Sequence, residues 1–465
     1  MCGFVGFWDL KKKCRSKEIT EIIKDMRGPI TSRGPDDKGS WFDKKNHLIL
    51  GHQRLSIIDT SQLGHQPMIS RNSRFVISYN GEIYNREELC AQLGRATDSF
   101  RGTSDTEVLL EACVAWGVER AVQACIGMFV FALWDRETRE LYLVRDRLGI
   151  KPLYYGRLDG TFYFGSELKP LLLGGAKRPP LDESAIHSFM RHGYIPAPHT
   201  IFLGVHKLEP GHCLVIDSHG NEKLSAFWSL GSVIQQIGQP ITDKPDDVWL
   251  DELETIIGDA VSRRMVADVP LGAFLSGGTD SSVVVAMMQK HSERAVRTFS
   301  IGFSEAEYNE AVHAKAVAKH LGTDHTELYV SPMDALEVIP TLADMYDEPF
   351  ADSSQIPTFL VSKLTRDHVT VSLSGDGGDE LFAGYPRYLV GDRLIGNIEK
   401  CPRWFRGRLA DGIRRVSVSR WDQVGKLVPA RYRPARVGDR AHKFADVLVA
   451  GRSDVYRRLV SLWQG

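Results

Sequence analysis

The sequence, 465 residues long, predicts two folds in series: an α+β half built on antiparallel strands, then an α/β half built on a doubly wound parallel sheet. Three observations predict this. Strand patterns dominate before about residue 230. After residue 248 strand and helix patterns alternate, the signature of a parallel sheet covered by helices on both faces. Between them "GSVIQQIGQPITDKPDD" (231–247) holds two glycines and two prolines and sustains neither period, so it reads as linker. The domains expected are residues 2–215 and 248–465, with 216–247 joining them.

Taken in order, "RFVISYNGEIYN" (74–85) is a strand entering a loop, and "REELCAQLG" a helix. A second helix opens at "SDTEVLLEACVAWG", where Ser104 and Glu107 have capping-box spacing. "GMFVFALWDRETRELYLVRD" (127–146) is a hairpin turning at "DRET". Past the linker, apolar positions 248, 250, 253, 256, 257, 260, 261 and 265 make a helical stripe. Then come strand "LGAFL", helix "SSVVVAMMQKH", strand "VRTFSIGF", helix "NEAVHAKAVAKHL", strand "HTELYV" and helix "MDALEVIPTLADMY". Strand "HVTVSL" follows, then the loop "SGDGGDE" and another helix. Sheets of this kind bind ligands where strands end and helices begin.

Composition narrows the function. A chain of this length holds about two to four domains. Net charge is −1, so nothing global favours nucleic acid or an anionic membrane. Apolar runs such as "GMFVFALW" are too short to span a bilayer. The opening residues run apolar first and basic second, the reverse of a secretory signal. Seven cysteines are scattered without CxxC or CxxH spacing, and their number is odd. The expectation is a cytoplasmic protein without disulfide framework or zinc site.

Cys2 raises the first chemical question. Once Met1 is removed, this residue carries both a thiol and the chain's free α-amine. Their pKa values, about 8.5 and about 7.7–8.0, differ by less than a unit, so moving the proton from sulfur to nitrogen costs roughly 1 kcal/mol. The amine is a matched base for its own side chain. Acyl transfer also needs oxyanion donors, which Asn80 and Gly81 in "YNGEIYN" supply. An amino-acid substrate needs partners for two charges. Arg54 in "GHQRLSIID" suits a carboxylate, held bidentately, and Asp105, one residue past Ser104, suits an ammonium. Taken singly, each has a plainer reading: a small residue near a frayed end, a turn, ordinary surface charges.

Together they have company. "CGFVGFW", "RGPDD" (33–37), "GHQRLSIID" (51–59), "YNGEIYN" (79–85) and "GTSDTEVLLEA" (102–112) resemble, in order and spacing, class II glutamine amidotransferase domains. The resemblance covers residues 2 to about 215 and implies an N-terminal-nucleophile αββα sandwich. It implies glutamine hydrolysis through a thioester on Cys2, an oxyanion held by Asn80 and Gly81, and glutamine bound by Arg54, Leu55, Ser56, Ile57, Ile58, Asn80, Gly81, Glu82 and Asp105.

"FLSGGTDSSVV" raises the second question. A strand ends at Leu275, a glycine loop follows, and a helix starts near Ser282. Loop N–H groups and the helix N-terminus favour an anion. The GxxxxGK[ST] pattern is absent and the loop has no lysine, so a leaving pyrophosphate suits it better than a transferred γ-phosphate. Asp280 suits Mg²⁺. "SLSGDGGDELFAGY" (372–385) repeats the pattern with Asp376, Asp379 and Glu380. The pair resembles pyrophosphate-loop ATP pyrophosphatases, and residues 2 to about 395 resemble the glutamine-hydrolysing asparagine synthetases. That resemblance implies ATP, Mg²⁺ and aspartate, a β-aspartyl-AMP intermediate, and ammonia passed through an interior tunnel. It places pyrophosphate on Ser276, Gly277, Gly278, Asp280 and Ser281, adenosine on Leu275, Ile301, Ser374 and Gly375, and Mg²⁺ on Asp280 and Asp379. Asp376 stands where other members carry a glutamate that assists ammonia attack; its side chain is shorter.

Such proteins continue beyond residue 465 with an R-x-S-M-A-type segment, so the expectation is that glutaminase chemistry survives better than adenylation. Residues 400–443 hold thirteen basic side chains against three acidic, with Trp404, Phe405, Trp421 and Tyr432 interleaved. A solvated or packing helical face is expected there, not a nucleic-acid surface. Expected partners are small molecules, with no nucleic acid or membrane; a homodimer is compatible. Two alternatives stay open: an amidotransferase with another carboxylate acceptor in cell-surface or peptide biosynthesis, and a truncated paralogue retaining only glutaminase or binding function.

Overall fold

The computed structural model describes residues 1–12, 14–175, 177–238, 244–303, 310–398, 400–427 and 436–463. They form two compact units, residues 1–186 with 195–374, and residues 187–194 with 375–465.

The first unit opens with β1 (Gly3–Trp8), β2 (Asp37–Asp43), β3 (Leu48–Arg54), β4 (Met68–Ile69), β5 (Phe75–Ile83) and β6 (Gly127–Asp135). It continues with β7 (Glu140–Arg145), β8 (Tyr154–Leu158), β9 (Thr161–Gly165), β10 (Val205–Lys207), β11 (His212–Ile216) and β12 (Glu222–Ala226). They pair into two six-stranded sheets, β10-β8-β9-β1-β3-β2 and β12-β11-β7-β6-β5-β4. Alternation along β6 shows why the sheets stack. Val130, Ala132 and Trp134 join Phe4, Trp8, Leu50 and Phe164 of the other sheet in one core. Phe129, Phe131 and Leu133 turn the other way, onto Leu109, Leu110, Ala121 and Val122 of the helices Asp105–Trp116 and Val118–Ala124. Period-two alternation with both faces apolar requires cover on both sides, and the expected αββα sandwich results.

Three sequence expectations need correction here. The stretch from residue 216 is no free linker: β12 pairs along β11, and a helix Leu230–Ile237 follows. All five β12 residues are exposed, so no hydrophobic alternation marked the strand; main-chain pairing holds it. Residues 239–243 of that stretch lie outside the described residues. Asn80 and Gly81 are inside β5, opposite Val130 and Phe129, and not in a loop. The capping box is half-formed: Ser104 accepts from the Thr106 N–H at 3.2 Å, but Glu107 reaches back to the N–H groups of Arg101 and Gly102, where the Arg101 side chain adds an ion pair.

The first unit ends in a parallel sheet, β13 (Leu271–Phe274), β14 (Arg297–Phe303), β15 (Asp324–Val330) and β16 (Val371–Leu373), in the order β15-β14-β13-β16. Strand order reverses between β13 and β16, which makes their C-terminal ends the switch point. Val261, Val285, Met288, Ala314 and Ala318, from the helices Asp246–Arg264, Thr279–Lys290 and Ala311–Leu321, close a core on Ala273 and Leu275. The helix after the first glycine loop starts at Thr279, earlier than expected.

The second unit is helical. Its helices Arg403–Arg415, Val437–Leu448 and Arg452–Val460 bury Ala410, Ala445, Val447, Leu448 and Val455. Two members of the basic stretch serve this packing. Arg414 pairs with Asp446 at 2.6 Å, and Trp421 donates to the Ile413 carbonyl at 3.1 Å. Arg431, Tyr432 and Arg433 lie outside the described residues. No helix among the described residues is long and apolar enough to cross a membrane.

Position within the sandwich sets the expected cost of truncation. Leu143, 0% exposed between the sheets, loses about 2–5 kcal/mol as Leu143→Ala. Leu224, 48% exposed on β12, loses under about 1 kcal/mol as Leu224→Ala. Denaturant unfolding of the two variants measures both.

Candidate active site

A cavity of about 260 Å³ gathers Cys2, Arg54, Leu55, Asn80, Gly81, Glu82, Asp105 and Lys151. Cys2, the expected nucleophile, is the residue ahead of β1; Asn80 and Gly81, the expected oxyanion donors, lie within β5; and Asp105 is in the first turn of the helix that covers the second sheet. Cys2 is held at its backbone, with Arg33 Nε donating to its carbonyl at 3.0 Å and Arg33 Nη1 meeting Glu167 at 3.0 Å. Its Sγ lies 3.4 Å from the Leu55 nitrogen, which donates to it. Burial pushes the thiol up, the Leu55 N–H opposing. Met1 occupies part of the cavity, with its Sδ 3.1 Å from Lys151 Nζ. Burial pushes the terminal amine there down to about 6, so an amine at this depth is neutral at physiological pH.

Asn80 is 1% exposed, and its Nδ2 is buried without a hydrogen-bond partner. A buried unsatisfied donor costs about 1–3 kcal/mol. Facing a cavity beside a thiol, it is suited to an oxygen that develops negative charge. Asp105 is fully engaged on one oxygen, accepting from Tyr79 OH at 2.8 Å and the Ile83 N–H at 2.9 Å, and burial pushes its carboxyl up. Glu82 is pushed up to about 7, by burial first and then by the charge of Asp105. Burial likewise lowers Lys151. His52 is pushed down to about 4 by burial and is neutral, its Nε2 at 2.9 Å from the Tyr79 carbonyl.

Two glutamine-binding expectations change. Arg54 does not offer a bidentate clamp in this structure. Its Nη1 donates to the Ser61 carbonyl at 3.0 Å, and its Nη2 donates to the carbonyls of Ile58, at 3.3 Å, and Asp59. Each edge of a guanidinium uses one Nη2 hydrogen, and both are taken; Nε and one Nη1 hydrogen remain for single contacts. Gly64 permits this arrangement, since a Cβ there would overlap the guanidinium. Ser56 turns away from the Cys2 cavity because its N–H is tied to Asp36 at 2.8 Å, and it lines a neighbouring cavity of about 370 Å³. Sequence reading did not select Lys151, Gln66 or Tyr79, nor Thr370, Val371 and Ser372 of the β16 segment, all of which line the Cys2 cavity. A lysine between Ile150 and Pro152 was the one visible signal. The β16 contribution had none, because it comes from the other half of the sequence.

At the end of β13 a second cavity, about 600 Å³, is lined by Leu275, Ser276, Phe299, Ile301, Phe303 and Val361. Its apolar walls suit a flat ring. The adjoining loop is preorganised. Ser276 Oγ and Ser281 Oγ are 3.0 Å apart, and Ser276 Oγ accepts from the Gly278 N–H at 3.2 Å. Gly277, at φ +82, sits where a Cβ would press into the backbone of His313 and Ala314 at 2.6–2.7 Å. Gly278 is the N-cap of the helix carrying Asp280. Ser374 follows β16. Gly375, Asp376 and Asp379 belong to the second unit, where Gly377, at φ +96, opens the short helix Gly378–Phe382. Among the described residues no three His, Cys, Asp or Glu side chains gather as a metal cage. A Mg²⁺ carried on nucleotide phosphates needs only one or two protein carboxylates, which Asp280 fits.

Residues 1–228 match the family profile for a glutamine amidotransferase domain, and residues 252–465 the profile for asparagine synthase. A Methanocaldococcus jannaschii protein provisionally named a glutamine-hydrolysing asparagine synthetase is 39% identical over 426 residues, covering 87% of this chain and 79% of that protein. Glutamine-hydrolysing asparagine synthetase 1 of Bacillus subtilis is 37% identical over 388 residues, with 83% and 59% covered. Asparagine synthetase 3 of the same organism is 32% identical over 410 residues, with 84% and 64% covered. The chain thus spans about three fifths of the two Bacillus proteins.

Glu82 generates a pH-dependent expectation. Its folded pKa of about 7 lies above its ordinary 4.5, so the folded state holds a proton that the unfolded state has lost between these values. Stability from this group is full below about 4.5 and falls as pH rises to about 7, by roughly 1–3 kcal/mol. In Glu82→Gln that loss disappears, so chemical denaturation at pH 5 and pH 8 gives a smaller difference than in the unaltered protein.

Proposed function

This chain belongs to the family of glutamine-hydrolysing asparagine synthetases, and from that membership we propose that it draws ammonia from glutamine at Cys2 and passes it to a nucleotide-activated aspartate. One observation carries the reading: a single cavity is lined both by Cys2 with Asn80 and by Thr370–Ser372 of the β16 segment, so the amide-cleaving site opens onto the sheet whose far end faces the nucleotide loop.

With Met1 removed, the Cys2 amine takes the thiol proton and sulfur attacks the glutamine side-chain carbonyl carbon. A C–S bond forms, and the oxyanion is held by Asn80 Nδ2 and the Gly81 N–H. The C–N bond breaks as the proton passes to nitrogen, and ammonia leaves. Water then cleaves the thioester, giving glutamate. Asp105 holds the substrate ammonium and Arg54 one carboxylate oxygen, with Glu82, Leu55, Ile57 and Ile58 around them. In the other half an aspartate β-carboxylate oxygen attacks the α-phosphorus of ATP and pyrophosphate leaves. Ammonia then adds to the acyl carbon, AMP leaves, and Asp376 takes the surplus proton. The loop Ser276–Ser281 cradles pyrophosphate, and Leu275, Ile301, Ser374 and Gly375 hold adenosine; Asp280 and Asp379 would hold Mg²⁺, which would supply charge neutralisation at the phosphates. The odd number of cysteines, seven, scattered without CxxC or CxxH spacing, supports a reducing cytoplasm as its place.

Cys2→Ala is expected to abolish glutamine-dependent asparagine formation and leave ammonium-dependent formation within about twofold, read by amino-acid analysis with ATP, Mg²⁺ and aspartate. Loss of both activities, or retention of both, contradicts the assignment. Asn80→Ala is expected to lower kcat for glutamine hydrolysis about 10²–10³-fold, measured as ammonia release. Aspartate-dependent exchange of pyrophosphate into ATP measures whether these 465 residues adenylate; its absence beside intact hydrolysis assigns them the donor half-reaction alone.

A further inference from the structure

The loop between Arg54 and Ser61 turns on Asp59, and every polar group of Asp59 is occupied. Its carbonyl accepts from Arg54 Nη2. Its Oδ1 accepts from Ser61 N–H at 3.1 Å and Ser61 Oγ at 2.5 Å. Its Oδ2 accepts from the Thr103 N–H at 2.9 Å, two residues before Asp105. Its own N–H donates to Asp268 Oδ2 at 2.8 Å, and the Asp268 N–H returns a bond to the Ile57 carbonyl at 3.0 Å. Asp59 is 5% exposed and lies at φ +59, a left-handed conformation that is unfavourable for a non-glycine residue and persists only where its surroundings over-determine it.

Asp268 belongs to the other half of the sequence, in the connection between the helix Asp246–Arg264 and β13. The same segment is fixed nearby, with Arg264 over the Tyr84 ring at 4.4 Å and Arg263 paired with Glu88 at 2.7 Å. One carboxylate from the nucleotide half thus completes the turn that joins Arg54 to the Thr103–Asp105 segment. These are the two groups assigned above to the ends of glutamine.

We propose that Asp268 is a positioning residue for glutamine: by accepting from Asp59 it holds the 55–61 loop in its binding shape, so glutamine affinity is built from both halves of the chain. The inference rests on the proposed function and names a residue that acts through the loop without touching substrate. Cys2 and Asn80 lie on or beside β1 and β5, and the loop meets the sulfur only through the Leu55 N–H, directly after the end of β3 at Arg54 and four residues from the turn at Asp59. Loosening the turn therefore acts on KM and spares kcat.

The experiment compares Asp268→Ala with Asp268→Asn in the full chain, following ammonia release from glutamine without ATP or aspartate. Alanine removes the acceptor, while asparagine keeps an oxygen in its place. Asp268→Ala is expected to raise KM about tenfold with kcat within twofold, and Asp268→Asn to keep both within twofold. Should the alanine variant not fold, Asp268→Ser replaces it, with KM expected to rise at least threefold. An unchanged KM in the acceptor-deleted variant, an asparagine variant as impaired as alanine, or a fall in kcat at constant KM overturns the inference. Failure of the unaltered protein to hydrolyse glutamine overturns the function on which it rests; hydrolysis with a KM indifferent to Asp268 overturns this inference alone.

Discussion

Everything at the Cys2 cavity depends on a stretch of chain before β1 that does not fray. Terminal residues of most domains are poorly ordered unless tied down, yet here the second residue is the one proposed to react. The tie is Arg33, which grips the Cys2 carbonyl while its other arm pairs with Glu167. Behind it, β1 is buried along its full length between β3 and β9. With the backbone fixed on both sides, the sulfur is held beside the Leu55 N–H, in the cavity that Asn80, with its unsatisfied amide, also lines. The sandwich serves as a clamp for six residues of chain, and its two apolar cores supply the holding force.

The same depth that fixes the sulfur shapes the charges around it. Burial works against the ionised form of each group: it raises Cys2, Glu82 and Asp105 and lowers Lys151 and the terminal amine. Glu82 and Lys151 partly relieve one another. The zwitterionic amino acid proposed as substrate would bring both signs of charge into this cavity and offset part of what these groups lose to desolvation.

Much of this was legible before any coordinates. Cys2, Asn80, Gly81, Arg54 and Asp105 were named from short ordered motifs, and they line one cavity. Alternating strands and helices announced the parallel sheet. What escaped has physical reasons. The sequence presents Arg54 as a free guanidinium because it cannot show that the loop after it folds back to present three carbonyls. Glu107 was read as a local cap, but two N–H groups and an arginine farther upstream outcompete the nearer one. Lys151 and the β16 segment enter the cavity from distant positions. β12 has no apolar alternation for any pattern to find.

That last strand has a consequence of its own. Glu222–Ala226 shows all five side chains to solvent and takes its place chiefly through a ladder with His212–Ile216, helped by one arginine, Arg157, on Glu222. Its partner strand β11 buries three of its five residues; this one is constrained almost only by its main chain. Evolution is therefore free to rewrite its letters while keeping its path, provided proline stays out of the ladder. Two relatives with identical architecture can look unrelated across that stretch.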